Sequence, residues 1–206
     1  MEATSSAQDG PRSRNRRGQG DRLREDILTA TLRLLDERAD DQALSLRAVA
    51  REVGVAATSV YIHFADRDAL VLAAMERCHH DLMHAVDQAG AASADPVESL
   101  RARTLVLGTW AYQHPGLYKV LHESGVNQRA NTSFRDELAH RTTAAVQRCM
   151  DAGLAQANDA ADVALDLRAA VHGAVSLRLN QTDVPWPPLR EQVERFLTKL
   201  VGTRSA

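Results

Sequence analysis

The chain has 206 residues, of which 4% are aromatic and 25% charged, and a formal net charge of −2. That balance excludes a chain that coats nucleic acid non-specifically, though it leaves room for a localised basic surface. No apolar run approaches the roughly eighteen residues of a membrane span, and the first residues lack the apolar stretch of a secretion signal, so the expected compartment is the cytoplasm. Abundant Ala, Leu, Val and Arg favour helix over strand and predict an all-α protein.

Residues 1–20 place Arg12, Arg14, Arg16 and Arg17 among Ser, Gly, Gln and Asn, the pattern of a flexible basic arm. From Asp21 a helix is predicted, with Leu23, Ile27, Ala30, Thr31, Leu34 and Leu35 on one face. Asp40-Asp41-Gln42 ends it. Ser45 then stands as N-cap to a short helix carrying Leu46, Val49, Ala50 and Val53, which Gly54 closes in a left-handed conformation. A third short helix is predicted over Ala57–His63. Asp66 caps a fourth, which reaches about Gln88.

The small, polar run Ala89 to Asp95 reads as a domain junction, separating 21–88 from 96–206. Pro96 opens a fifth helix that His114-Pro115-Gly116 breaks, and a brief helix over Leu117 to Glu123 follows. Gly125 to Ser133 is loop-like, Phe134 to Ala152 helical, and Asp159 to Asn180 a long helix apolar on more than one face. Three prolines make Gln181 to Pro188 a loop. Leu189, Val193, Phe196, Leu197 and Leu200 pattern a terminal helix, about nine in all, with no internal repeat.

Two short helices joined by a Gly-containing turn, Ser45 to Phe64, have the form of a helix-turn-helix, although any αα-hairpin of a bundle shares that outline. Residue detail goes further. The run Leu46-Arg47-Ala48-Val49-Ala50-Arg51-Glu52-Val53-Gly54-Val55, then Ser59-Val60-Tyr61-Ile62-His63-Phe64 and Arg67-Asp68-Ala69-Leu70, closely resembles the tetracycline-repressor-like (TetR) family over about Asp21 to Met75. Pro115-Gly116-Leu117-Tyr118 and Val171-His172-Gly173 resemble a subfamily named for a Trp-His-Gly motif, with Val171 in place of the tryptophan.

The resemblance implies a ligand-responsive repressor that binds an inverted-repeat operator in double-stranded DNA as a homodimer. It places Ser45 on a phosphate, Arg47 on a base edge or the backbone, and Ala57, Thr58 and Ser59 at the base-reading start of the third helix. Tyr61, Ile62 and His63 fall where the family contacts phosphate and groove, and Arg67 replaces its usual lysine, keeping the cation and adding a planar donor fork. Side-chain chemistry agrees in part. A phenol and an imidazole are good phosphate donors, and only Arg47 could grip guanine through two bonds.

Trp110, Tyr112, His114, Tyr118, His122, Phe134, Met150 and His172 gather much of the aromatic and polarisable material in the C-terminal half, so they are the candidate contacts for a small-molecule effector of unknown identity. The last two helices are expected to form the dimer contact through Ala164, Leu167, Val171 and Val175. No cofactor is expected. Cys78, His79, His80 and His84 cluster on the fourth helix, and a metal-responsive regulator is the alternative reading; His80 and His84 share a face, but one helix supplies only two ligands there, and the histidines outside the named sites read as surface residues. Cys78 and Cys149 match no disulfide framework. Enzyme motifs are absent, and His122-Glu123-Ser124 is a sequence neighbourhood rather than a triad, leaving an enzyme or a plain interaction bundle as the weaker alternatives. Asn131-Thr132-Ser133 matches a glycosylation sequon by form alone.

Overall fold

A computed structural model describes residues 19–126 and 133–203. The basic arm with Arg12, Arg14, Arg16 and Arg17, and most of the Asn131-Thr132-Ser133 sequon, lie outside them. Nine α-helices and no strand occur among the described residues: α1 (Gln19–Arg38), α2 (Leu46–Val53), α3 (Ala57–His63), α4 (Arg67–Ala91), α5 (Pro96–Gln113), α6 (Pro115–Glu123), α7 (Ser133–Asp151), α8 (Ala160–Asn180) and α9 (Leu189–Phe196). A π-turn, Leu197–Val201, continues α9 to Gly202. No described helix is long and apolar enough to cross a membrane.

Helix ends follow local chemistry. The side chains of Ser45, Asp66, Asp95 and Asp159 accept bonds from free N–H groups at the starts of α2, α4, α5 and α8. Gly54 closes α2 at φ +77°, a region that costs a Cβ-bearing residue strain, and its N–H reaches back to Ala50 and Arg51. The fourth helix runs three residues past the expected Gln88 because Ala89, Gly90 and Ala91 stay helical against α5.

Two cores organise the chain. Ile27, Leu35, Val49, Val60, Phe64 and Leu70 bury the inner faces of α1 to α4, and Leu117 and Val120 of α6 belong to the same cluster. A second core joins Leu100 of α5, Val146 and Cys149 of α7, Ala164 and Leu167 of α8, and Val193 and Leu197 at the C-terminal end. Between α4 and α5 only residues 92–95 form a loop, and the two helices pack against each other. The chain returns α6 from the C-terminal half into the N-terminal core.

The α6 return is pinned at its start. Asp36, in the last turn of α1, accepts from Gly116 N at 2.9 Å and Leu117 N at 3.1 Å, capping α6, while His114 Nδ1 lies 2.9 Å from its other oxygen. A Cβ at Gly116 would overlap the Asp36 carbonyl, so the approach of α6 to α1 requires glycine there.

Candidate functional site

Around α3 the backbone faces one residue inward. Val60 is buried, whereas Tyr61 and Ile62 are 54% and 81% exposed and Thr58 is exposed beside them. Ser45 caps α2 through its bond with Ala48 N, 3.2 Å away, and Arg47 is exposed on the same short helix. Ala57, Ser59 and His63 are half-buried, and the His63 ring lies against Phe64 with centroids 6.5 Å apart. A helix that anchors through Val60 and presents Thr58, Tyr61 and Ile62 outward has the shape to enter a groove. An 81% exposed isoleucine gains nothing in the free chain.

Arg67 stands differently. Its guanidinium binds Asp68 Oδ1 through Nε at 2.9 Å and Nη2 at 2.6 Å, and Gln42 Oε1 through Nη1 at 2.7 Å. It ties the loop after α1 to the start of α4.

In the C-terminal half, a cavity of about 330 Å³ opens between α4, α5, α6, α7 and α8. Its apolar wall includes Leu82, Met83, Val86, Leu107, Trp110 and Leu138, and such a lining with a few polar groups is that of a small-molecule site. At one side Tyr118 Oη lies 2.5 Å from His172 Nδ1, and the His122 ring packs at 4.4 Å from His172 and 4.5 Å from Tyr118. Burial pushes the Tyr118 phenol up to about 12, which keeps it protonated.

Of the candidate effector contacts, Trp110, Tyr118, His122 and His172 line the cavity. Tyr112 and His114 do not. Tyr112 stands two positions after Trp110 and so points to another side of α5, where it is 37% exposed, and His114 is held on Asp36. Met150 packs against the second core instead, and the side chain of Phe134 lies outside the described residues.

Lining residues outside the expected effector contacts are Arg103, Arg141 and Arg168, with Thr104, Thr142 and His79. His79 is a correction to the surface reading: it is buried, its Nε2 lies 3.4 Å from Glu137 Oε2, and burial holds its pKa below the usual value. His80 and His84 are exposed, and no group of three or more His, Cys, Asp or Glu converges as a metal site among the described residues. Cys78 and Cys149 are buried, and desolvation pushes their thiols up to about 12 and about 11, which makes both poor nucleophiles.

The expected dimer residues are also corrected. Ala164, Leu167 and Val175 are buried within the chain, and Leu167, Val171 and Val175 line the cavity. On α8 the exposed apolar side chains are Leu165 and Leu177, 60% and 46% exposed, with Ala169 exposed and Gly173 half-buried between them; Leu165 and Ala169 also border the cavity.

Family comparison bears on both regions. Residues 27–74 match the family of bacterial regulatory proteins of the tetR type, and residues 100–202, half the chain, match the tetracyclin repressor-like C-terminal domain. The chain belongs to the TetR family.

Three solved TetR-like folds illustrate the match. A Rhodococcus sp. RHA1 protein with unknown function is 26% identical, covering 92% of this chain and all of its own, with a TM-score of 0.72. SmeT, the repressor of the Stenotrophomonas maltophilia multidrug efflux pump SmeDEF, is 20% identical in its triclosan complex, covering 87% and 92% with a TM-score of 0.70. AibR, in complex with isovaleryl coenzyme A and operator DNA, is 17% identical, covering 88% and 99% with a TM-score of 0.64. No curated relative matches by sequence. In this TetR-family chain the helix-turn-helix is α2 and α3, and the tetracyclin repressor-like domain supplies the larger part of the cavity wall.

Proposed function

We propose that this chain is a ligand-responsive repressor, not an enzyme, that holds an inverted-repeat operator as a homodimer and releases it when a small molecule fills the cavity. The observation that carries this reading is the dual membership of two helices. Helix α4, capped by Asp66, follows the α3 segment closely and sends Leu82, Met83 and Val86 into the cavity wall. Helix α6 lines the cavity with Tyr118 and His122 while Leu117 and Val120 sit in the core of the helix-turn-helix. A ligand that favours one placement of α4 or α6 acts on α1 to α3 through packed contacts. SmeT with triclosan and AibR with an acyl-coenzyme A and operator DNA show that this fold accommodates both partners.

Coupling between two binding sites is reciprocal, which supplies the test. A compound identified by thermal shift should weaken operator binding in fluorescence anisotropy about 5- to 150-fold, and operator should weaken its binding by the same factor. Equal ligand affinity with and without operator overturns the responsive part of the reading.

On DNA, Thr58, Ser59 and Ile62 take the groove floor, where short side chains offer a methyl or one hydroxyl bond, and Ala57 allows close approach. Ser45, Tyr61 and His63 take phosphates, and Arg47 takes a base edge. Arg67 completes the site by holding the start of α4, with phosphate contact open to it once DNA draws it from Asp68. Arg47→Ala is expected to relax preference at one operator position at a loss of about 1–3 kcal/mol, whereas Tyr61→Phe weakens all sequences alike. Selection from random duplexes with each variant checks this; an unchanged operator logo for Arg47→Ala removes its base contact.

A further inference from the structure

The cavity wall carries more positive than negative charge. Arg103 reaches Asp87 through Nη1 at 2.7 Å, and Arg141 is paired with both Asp87 and Glu137. Three guanidiniums, those of Arg103, Arg141 and Arg168, therefore face two carboxylates. Two donor groups are left over. The Nε of Arg103 is buried beneath Gly90 with no acceptor, and Arg168, half-buried on α8, makes no hydrogen bond or ion pair among the described residues. Burial lowers the pKa of both, the response of a cation short of solvent.

A partly desolvated cation such as Arg168 without a partner carries a cost, and an apolar cavity does not need one to stay folded. A ligand carrying one negative group would satisfy it, and a guanidinium fork suits a carboxylate in particular. The remaining wall, with Leu82, Met83, Val86, Leu107, Trp110 and Leu138, suits an apolar body. We infer that the effector is an amphipathic monoanion, an organic acid whose hydrocarbon part fills the apolar wall and whose carboxylate is held by Arg168. The inference rests on the cavity being the effector site, as proposed above. Tyr118, His122 and His172 add hydrogen-bonding capacity for further polar substituents.

The test compares headgroups on one tail. Full-length protein carrying Trp186→Phe retains Trp110 as its single tryptophan, inside the cavity wall, so its emission reports occupancy. Decanoate, decanol and decyltrimethylammonium are titrated at pH 7.5, with calorimetry in parallel. Decanoate is expected to bind at least ten-fold more tightly than decanol, and the ammonium amphiphile more weakly than either. Arg168→Met, which keeps an unbranched apolar stem, should bring decanoate down to the level of decanol and leave decanol unchanged. If decanol matches decanoate in the unsubstituted cavity while both move Trp110 emission, the anion inference is wrong and the cavity remains a ligand site. If Arg168→Met preserves the preference for decanoate, the assignment of the carboxylate to Arg168 is wrong. If no amphiphile moves Trp110, the inference fails together with the reading of the cavity as the effector site.

Discussion

Gly173→Glu is expected to yield a folded monomer that no longer holds its operator. Leu165, Ala169, Gly173 and Leu177 recur at every fourth position of α8, forming one ridge whose first two members also border the cavity, and two of its members are large exposed apolar side chains. In the proposed two-fold homodimer this ridge is expected to meet its own copy, with glycine at the centre letting the backbones close in. A Cβ at Gly173 meets nothing within 4 Å in the isolated chain, so a side chain there does not disturb the protomer. Glutamate is also a better helix former than glycine, by roughly half a kcal/mol or more. Across the two-fold, however, each carboxylate would face its own copy in a desolvated contact, at an expected cost of several kcal/mol per ion. Sedimentation should show the monomer, circular dichroism an unchanged helix content, and anisotropy a loss of operator affinity on the order of 10³ or more, toward the non-specific level. A variant that stays dimeric at micromolar concentration would place the subunit contact elsewhere.

The second large effect is expected at Gly116. Valine there would drive its branched carbon into the Asp36 carbonyl, which is backbone and cannot swing aside, so α6 must lift from α1. Overpacking of this kind costs about 1–3 kcal/mol, and the two capping bonds to Asp36 are lost with it. Melting should fall by several degrees. More telling is the ligand response: because α6 carries Tyr118 and His122 to the cavity and Leu117 and Val120 to the helix-turn-helix core, Gly116→Val should bring the ligand-induced change in operator affinity close to unity. Asp36→Asn serves as the milder companion, since it keeps an acceptor for the α6 amides without a clash. It should retain most of the response. A Gly116→Val protein that is destabilised but still released by ligand as the parent is would show that α4, and not α6, carries the signal.

Much of the N-terminal half could be read directly from its residues. Ser45, Gly54 and Asp66 are local signals: each acts within four residues of itself, so the limits of α2, the turn and the start of α4 followed from side-chain chemistry alone. The short helix Ala57–His63 was also read from its sequence, and the structure then showed Val60 as its inward anchor with Thr58, Tyr61 and Ile62 turned out. Trp110, Tyr118, His122 and His172 stood out as aromatic and polarisable residues in a chain with few of them. The same criterion also picked Tyr112, His114 and Met150, because composition cannot tell which side of a helix meets a cavity.

What tertiary structure alone decided is which apolar face meets which neighbour. Helix α8 carries two apolar stripes, and periodicity finds both equally; only the packing of α5, α7 and α9 turned Ala164, Leu167 and Val175 inward and left Leu165 and Leu177 outward. Arg103, Arg141 and Arg168 lie on three helices far apart in sequence and look like ordinary surface arginines until the bundle sets them around one cavity. The return of α6 to α1 is equally non-local, joining Asp36 to Gly116 across eighty residues of chain. Caps, turns and stripes are properties of a few neighbouring residues and survive in the sequence. The side on which each stripe is buried, and the charges gathered in the cavity wall, depend on long-range pairings that no local pattern encodes.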